Sequence, residues 1–372
     1  MIKITGVDVM VYRFPLANPV QTSFGLMRDR PMLVVKLTSD AGITGWGEIW
    51  CNFPNVGAEH RARLVNDVFA PLLLSQSYDS PNAAFDILTT STWVLGLQTG
   101  EIGPLAQCIA GIDIAMSDIH AKQQDMPLWK LYGGTTDTVP IYASGINPTN
   151  AEQTALAAVD NGYQAVKLKI GFGRDVDVNN VSALRDIVGS SGSLMVDANQ
   201  AWSADHACDM ISDLAPFDLT WLEEPIAKDR PITEWQMLRK AATMPLAAGE
   251  NLQGEDEFAA AIAENVLTVI QPDLAKWGGF SRTIPIAQNI RAAGHRYCPH
   301  YLGGGIGLVA SAHALAAVGG DGMLEVDFNP NPLRSDLVGD MLSGKDGTAR
   351  LGNRPGLGYE PDLDTVSAYR VA

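Results

Sequence analysis

From the middle of the chain almost to its end, short apolar runs finish on charged or metal-competent residues that recur every 23 to 30 positions: Lys167 and Lys169, then Asp197, Glu223, Glu250, Asp273, His300 and Glu325. A strand, a helix and their loops take about 30 residues in a βαβ unit. The period therefore implies one such unit repeated, with a functional side chain at the same place in each copy. A TIM barrel has that layout, because its site collects residues from the C-terminal ends of different strands at one mouth.

Strand-like runs at 139–143, 165–170, 194–197, 221–224, 246–250, 266–271, 295–299 and 323–326 alternate with helical periods that include 151–160, 204–214, 255–263, 281–293 and 307–317. Ser203 is placed to cap the second of these helices. Strict alternation predicts an α/β protein with a parallel sheet of eight strands. Ahead of it, the alternation over 2–11 changes phase after Gly6, as in a strand with a bulge. Residues 31–37 and 44–50 read as a hairpin, and 105–122 carries the wide apolar face of a buried helix. The length of 372 residues suits two domains. The expected division is an α+β domain over 1–127, the barrel over 128–328, and a segment over 329–372. That segment is rich in Pro, Gly and Asn up to Gly358, shows no clear element, and is expected to fold back onto the first domain.

Acidic residues outnumber basic ones by 42 to 26, and a net charge of -16 repels nucleic acid and anionic membrane. A small molecule is the expected partner. No run of 18 uncharged apolar residues marks a membrane span. The N-terminus lacks the basic-then-apolar order of a signal peptide. Cys51, Cys108, Cys208 and Cys298 are too widely separated to indicate a zinc site or a disulfide framework, which fits a reducing cytoplasm.

Asp197, Glu223 and Glu250 close three consecutive predicted strands, so the barrel brings three carboxylates together in a partly desolvated mouth. Burying adjacent anions requires a compensating cation, and oxygen-only ligation in an open site favours Mg²⁺. Glu224 is expected to point to the opposite face, behind the metal. Lys167 and Lys169 lie two apart on one strand and face the interior together. Burial and mutual repulsion favour the neutral amine that a general base needs. Asp273 and His300 end successive strands, so the carboxylate can fix the tautomer of the imidazole. Glu325 either hydrogen-bonds an oxyanion in its protonated form or neutralises Lys276, and Asn199 is placed to donate to substrate. Such a set suits removal of a proton beside a carboxylate, with metal and cationic groups holding the developing enediolate. The glycine-rich run at 303–307 lacks the lysine of a phosphate loop and reads as backbone packed near the substrate.

These residues resemble the enolase superfamily, and within it the mandelate racemase subgroup, through nearly the whole chain. Ala110-Gly111-Ile112-Asp113-Ile114-Ala115 and Leu131-Tyr132-Gly133-Gly134 look like the end of that family's capping domain. Lys167-Leu168-Lys169 is similar to its K-x-K motif, Val196-Asp197-Ala198-Asn199, Glu223-Glu224-Pro225 and Gly249-Glu250-Asn251 to its metal motifs, and Asp273 with His300 to its catalytic dyad. The resemblance implies a (β/α)7β modified TIM barrel with a capping domain completed by the C-terminal tail. It assigns Lys169 as base, His300 with Asp273 as the second acid or base, Lys167 and Glu325 to the substrate carboxylate, and Asp197, Glu223 and Glu250 to Mg²⁺. It also implies a homo-oligomer. Specificity in the family comes from two capping loops, here near 16–30 and 51–60, which carry Phe24, Met27, Arg28, Arg30, Phe53 and His60.

The expected activity is dehydration of an aldonic or aldaric acid to a 2-keto-3-deoxy acid. Racemisation or epimerisation of a 2-hydroxy acid, or cycloisomerisation of a sugar lactone, is the alternative. A barrel that binds metal without catalysis is the contrasting class.

Overall fold

The computed structural model describes residues 1–22, 25–342 and 345–372. The N-terminal cap is an antiparallel sheet in the order β3-β2-β1-β4, made of β1 (Ile2–Thr22), β2 (Gly25–Ser39), β3 (Thr44–Ile49) and β4 (Ser77–Tyr78). A register shift between Ile4 and Gly6 sits where the sequence alternation changes phase. Of the segment read as a loop at 16–30, residues 16–22 and 25–30 are instead the outer parts of β1 and β2, with a second shift between Pro15 and Val20. Prolines 15 and 19 and that irregularity hide the alternation, since proline cannot donate to a ladder.

Helices Pro81–Thr99 and Ile102–Gln123 complete the cap. The second is long and apolar enough to cross a membrane, yet it forms the buried centre of this domain. Glycines set its distance from β3: a Cβ on Gly47 would lie 2.0 Å from Gly111 O, and one on Gly45 2.1 Å from Ala115 O. Without side chains there, strand and helix backbones meet directly.

The second domain is a modified TIM barrel, a curled parallel sheet. Its strands are β5 (Thr138–Ile146), β6 (Ala165–Lys169), β7 (Ser193–Asp197), β8 (Trp221–Glu223), β9 (Leu246–Ala248), β10 (Val269–Ile270), β11 (Arg296–Tyr297) and β12 (Leu324–Asp327). They pair in the order β11-β10-β9-β8-β7-β6-β5-β12. Seven helices connect them, giving (β/α)7β. Helix Ala204–Leu214 begins where the sequence places it, with Ser203 Oγ accepting from His206 N. Helices Arg174–Val188 and Ile232–Ala241, which the sequence reading does not name, are polar on average and bury few side chains.

Side chains on the strands alternate between the helix layer and the barrel interior. Tyr142, Ala165, Met195, Trp221, Ala247, Val269 and Cys298 form one apolar cluster inside. Two residues further along their strands come Lys167, Asp197 and Glu223, so the interior changes from apolar floor to charged layer within one strand repeat.

The C-terminal segment divides. Helix Pro332–Val338 packs against helix Gly305–Val318, and β13 (Thr348–Arg350) pairs antiparallel with β5, so elements occupy a stretch where the sequence shows none. Beyond it the chain reaches the cap: Leu357 N donates to Asp118, and Val371 N donates to Val11 O.

Candidate active site

The strand ends deliver the predicted ring to one mouth, with Lys167 at its base. Lys167 is 1% exposed, and its Nζ lies 2.6 Å from Glu223, 2.9 Å from Glu325 and 3.8 Å from Asp197. Lys169, one strand repeat further out, reaches Asp197 Oδ2 and Asn199 Oδ1, each at 2.7 Å. Asn199 itself takes a left-handed backbone (φ 43°), and its N–H donates to Asp197 Oδ1.

Both lysines depart from the neutral state anticipated from sequence. Burial pulls Lys167 down, but Glu223 and Glu325 outweigh it and hold the ammonium well above its ordinary value. Asp197 raises Lys169 above its ordinary value against burial and the repulsion of Lys167. Desolvation and like charge favour the neutral amine, but the carboxylates that the strand register sets beside each lysine reverse that.

His300 Nδ1 lies 2.8 Å from Asp273 Oδ2, and its Nε2 lies 2.6 Å from Glu250 Oε2. Asp273 is fixed in turn by the N–H groups of Ala275 and Lys276. With an acid on each ring nitrogen, His300 is held well above its ordinary value despite burial, and Glu250 well below its own.

Glu325 pairs with neither partner drawn for it but with Lys167 and Ser144. Burial opposes its ionisation, but Lys167 and His300 hold its carboxyl down at about 2, so it is ionised rather than protonated. Lys276 lies instead over the Trp50 ring at 4.8 Å and donates to Asn251. Glu224 also departs from expectation. At φ 42° the strand has ended, and the side chain turns to Gln200 and Asn251 beside Glu250 instead of away.

Among the described residues, no three His, Cys, Asp or Glu side chains converge as a metal cage. Asp197 and Glu223 are neighbours in register but turn to the two lysines, while Glu250 turns to His300. The donor chemistry nonetheless fits a hard divalent cation. Six carboxylates, those of Asp197, Glu223, Glu224, Glu250, Asp273 and Glu325, face three ammonium groups and one imidazole. Burial and neighbouring acids push Glu223 up to about 7 and Glu224 to about 8, the signature of anions short of positive charge.

Above this layer lies a cavity of about 320 Å³, with Lys169, Asn199, Glu250, Lys276, His300 and Glu325 among its barrel residues. Lys167 is sealed beneath it and does not line it. The cap contributes Met27, Arg30, Trp50, Asn52 and Phe53, whereas Arg28 is exposed and His60 turns to Glu101 at 3.0 Å. Phe24 lies outside the described residues. Gln271, which donates to Glu223 Oε2 at 2.7 Å, and Ser144, which donates to Glu325, were missed by sequence reasoning. Only the position of Gln271, two residues before Asp273 on the same strand end, offered a signal.

The glycine-rich run 303–307 does seat an anion, but it is a protein carboxylate. Glu48 of β3 accepts from the N–H groups of Gly304 and Gly307 at the start of helix Gly305–Val318. Asn52 adds a bond to Leu302 O at 2.7 Å, so the cap grips the turn that follows His300.

Comparison with known proteins agrees with this architecture. Residues 4–133 match the N-terminal domain of the mandelate racemase / muconate lactonizing enzyme family, and residues 150–365 match the enolase C-terminal domain-like family. A crystal structure of a mandelate racemase/muconate lactonizing enzyme from Bordetella bronchiseptica RB50 is 49% identical, with a TM-score of 0.94 over 99% of each chain. The L-talarate/galactarate dehydratase of Salmonella typhimurium is 30% identical over 96% of this chain and 88% of its own. The D-galactarolactone cycloisomerase of Agrobacterium fabrum is 27% identical over 99% of both chains.

Proposed function

Since this chain belongs to the mandelate racemase/muconate lactonizing enzyme family of the enolase superfamily, we propose that it removes the α-proton of a carboxylate substrate and dehydrates an acid sugar to a 2-keto-3-deoxy acid. The observation that carries this reading is the pairing of Lys169 with an Asp273-backed His300 on one cavity.

Asp197, Glu223 and Glu250 would supply the oxygens for Mg²⁺, which when bound would neutralise these acids and draw charge from the substrate carboxylate. When Asp197 turns from Lys169, burial and the repulsion of Lys167 lower the amine toward a working base against the weaker pull of Glu223. Lys169 then takes the α-proton, and the electron pair moves into the carboxylate as an enediolate. Lys167 lies beneath, bonded to Glu325 and Glu223, and its positive charge opposes the cost of that dianion. His300, oriented through Nδ1 by Asp273, gives a proton to the β-hydroxyl, which leaves as water. The enol that remains tautomerises to the 2-keto acid.

Cycloisomerisation of a sugar lactone is the second reading, supported by the cycloisomerase relative. The two differ in product mass, since only dehydration loses water. Aldonates, aldarates and their lactones, incubated with the protein and Mg²⁺ in D₂O, are expected to yield a 2-keto acid and α-deuterated substrate. Absence of both exchange and keto product across the panel defeats the reading.

The four cysteines, all free thiols, support a reducing cytoplasm. Trp93, Val94 and Leu97, each more than half exposed on one cap helix, support a homo-oligomer, which light scattering tests directly.

A further inference from the structure

One cavity residue takes no part in the proton transfers above. Arg30 leaves β2 toward the cavity and is 4% exposed. Its Nη2 lies 3.0 Å from Asp327 Oδ2, its Nη1 reaches Met27 Sδ at 3.1 Å, and its Nε has no hydrogen-bond partner. A thioether is a weak acceptor. Two of the three guanidinium nitrogens therefore lack a strong partner, at a depth where unpaired donors are costly.

Asp327 does not balance this charge. The same Oδ2 is 3.4 Å from Arg334 Nη1, and Oδ1 accepts from the side chain and backbone of Asn329 at 2.6 and 3.2 Å. Two guanidinium groups thus share one carboxylate, so Asp327 does not fully neutralise Arg30. The wall is tightly built: a Cβ on Gly145 would lie 2.4 Å from Asp327 Oδ1 and 2.6 Å from Asn329 Nδ2. Asn147 and Asn329, which bond to each other at 3.3 Å, add neutral amide groups beside it.

We infer that Arg30 forms a second anion subsite of this cavity, so that the substrate is a dicarboxylate acid sugar whose non-reacting carboxylate binds there. A carboxylate that displaces the Met27 thioether from Nη1 exchanges a weak acceptor for a charge-assisted one, on a guanidinium whose Nε is also without a partner. Met27 also lines the cavity, and an unbranched side chain with three rotatable bonds can yield. The assignment of the reacting end rests on the α-proton reading, but recognition of the second anion does not depend on turnover.

Calorimetric titration of the Mg²⁺-supplemented protein with C6 aldarates, and with the aldonates of the same configuration, tests this. The diacid is expected to bind at least tenfold more tightly. Arg30→Gln should bring the two affinities together while moving that of the monoacid less than threefold, and Arg30→Lys should keep part of the preference. Equal affinities in the unsubstituted protein, no binding of either acid, or equal weakening of both by Arg30→Gln overturns the subsite. The last of these is what a purely structural clasp to Asp327 predicts. Should Arg30→Gln fail to fold, the diacid-to-monoacid ratio of the unsubstituted protein decides alone. Selective diacid binding without α-deuteration refutes the reaction and keeps the subsite; α-deuteration without selectivity does the reverse.

Discussion

His300 and His313 are both buried in the barrel domain, and their surroundings drive them in opposite directions. His300 stands at the mouth between Asp273 and Glu250, which hold it charged. His313 stands where barrel, cap and tail meet, accepting from Trp129 N–H at 3.1 Å and donating to Leu357 O at 3.1 Å, and burial lowers it to about 4. The acids divide in the same way. Glu48 and Asp118, at the seam between domains, take two fixed backbone N–H groups each, from Gly304 and Gly307 and from Trp46 and Leu357, and only Asp118 adds a side-chain cation, Lys122 at 3.0 Å. Asp197, Glu223 and Glu250, at the mouth, face lysine and histidine side chains. A backbone donor cannot leave, whereas a side-chain partner can turn to substrate or metal. Burial is common to both regions, and the mobility of the partner separates a structural charge from a working one.

The largest test of that distinction is Lys169→Ala. General-base loss costs about 10²- to 10⁴-fold in rate, and kcat should fall toward the upper end of that range while the melting temperature stays close to that of the parent. Turnover within tenfold of the parent would place Lys169 with the structural charges. Next in size, His300→Asn should lower dehydration by about 10²- to 10³-fold, yet leave substrate exchange through Lys169 measurable by mass spectrometry in D₂O. Loss of exchange and dehydration together would show that the two groups do not act separately.

At the seam the expected effect is on folding. His313 falls from an unfolded value of about 6.5 to about 4 when folded, so the unfolded chain binds more protons between these limits. Its contribution to stability is complete above the unfolded value and is lost as pH falls toward the folded one, by at most about 3 kcal/mol. Urea midpoints should decline over that window, and His313→Leu should flatten the decline. An unchanged slope would locate the titration elsewhere. The smallest expected effect concerns metal. At a hundredfold excess over Kd, Mg²⁺ should stabilise the protein by about 2.7 kcal/mol, and chelation should remove both that gain and the activity. Asp197→Asn should abolish most of the thermal shift while Asp118→Asn preserves it; equal behaviour of the two variants would erase the contrast between mouth and seam.

Eight strands, most of the helices and the position of each ring residue were legible because two local rules report them. Side chains alternate along a strand, and each repeat returns the chain to the same end of the sheet, so a spacing of 23 to 30 residues encodes the mouth. Ser203 and Gly6 were legible for the same reason, since a cap or a bulge is decided by neighbours in sequence. The partners were not. That Asp197 and Glu223 keep the lysines charged, that Glu224 turns inward, that Glu48 fills the glycine-rich turn and that Arg30 stands half-paired against Asp327 all follow from contacts between residues distant in the chain. Local pattern thus determined where each charge was delivered. Its protonation state and its freedom to act depend on desolvation and on the next charge a few ångströms away, and only the folded packing sets those.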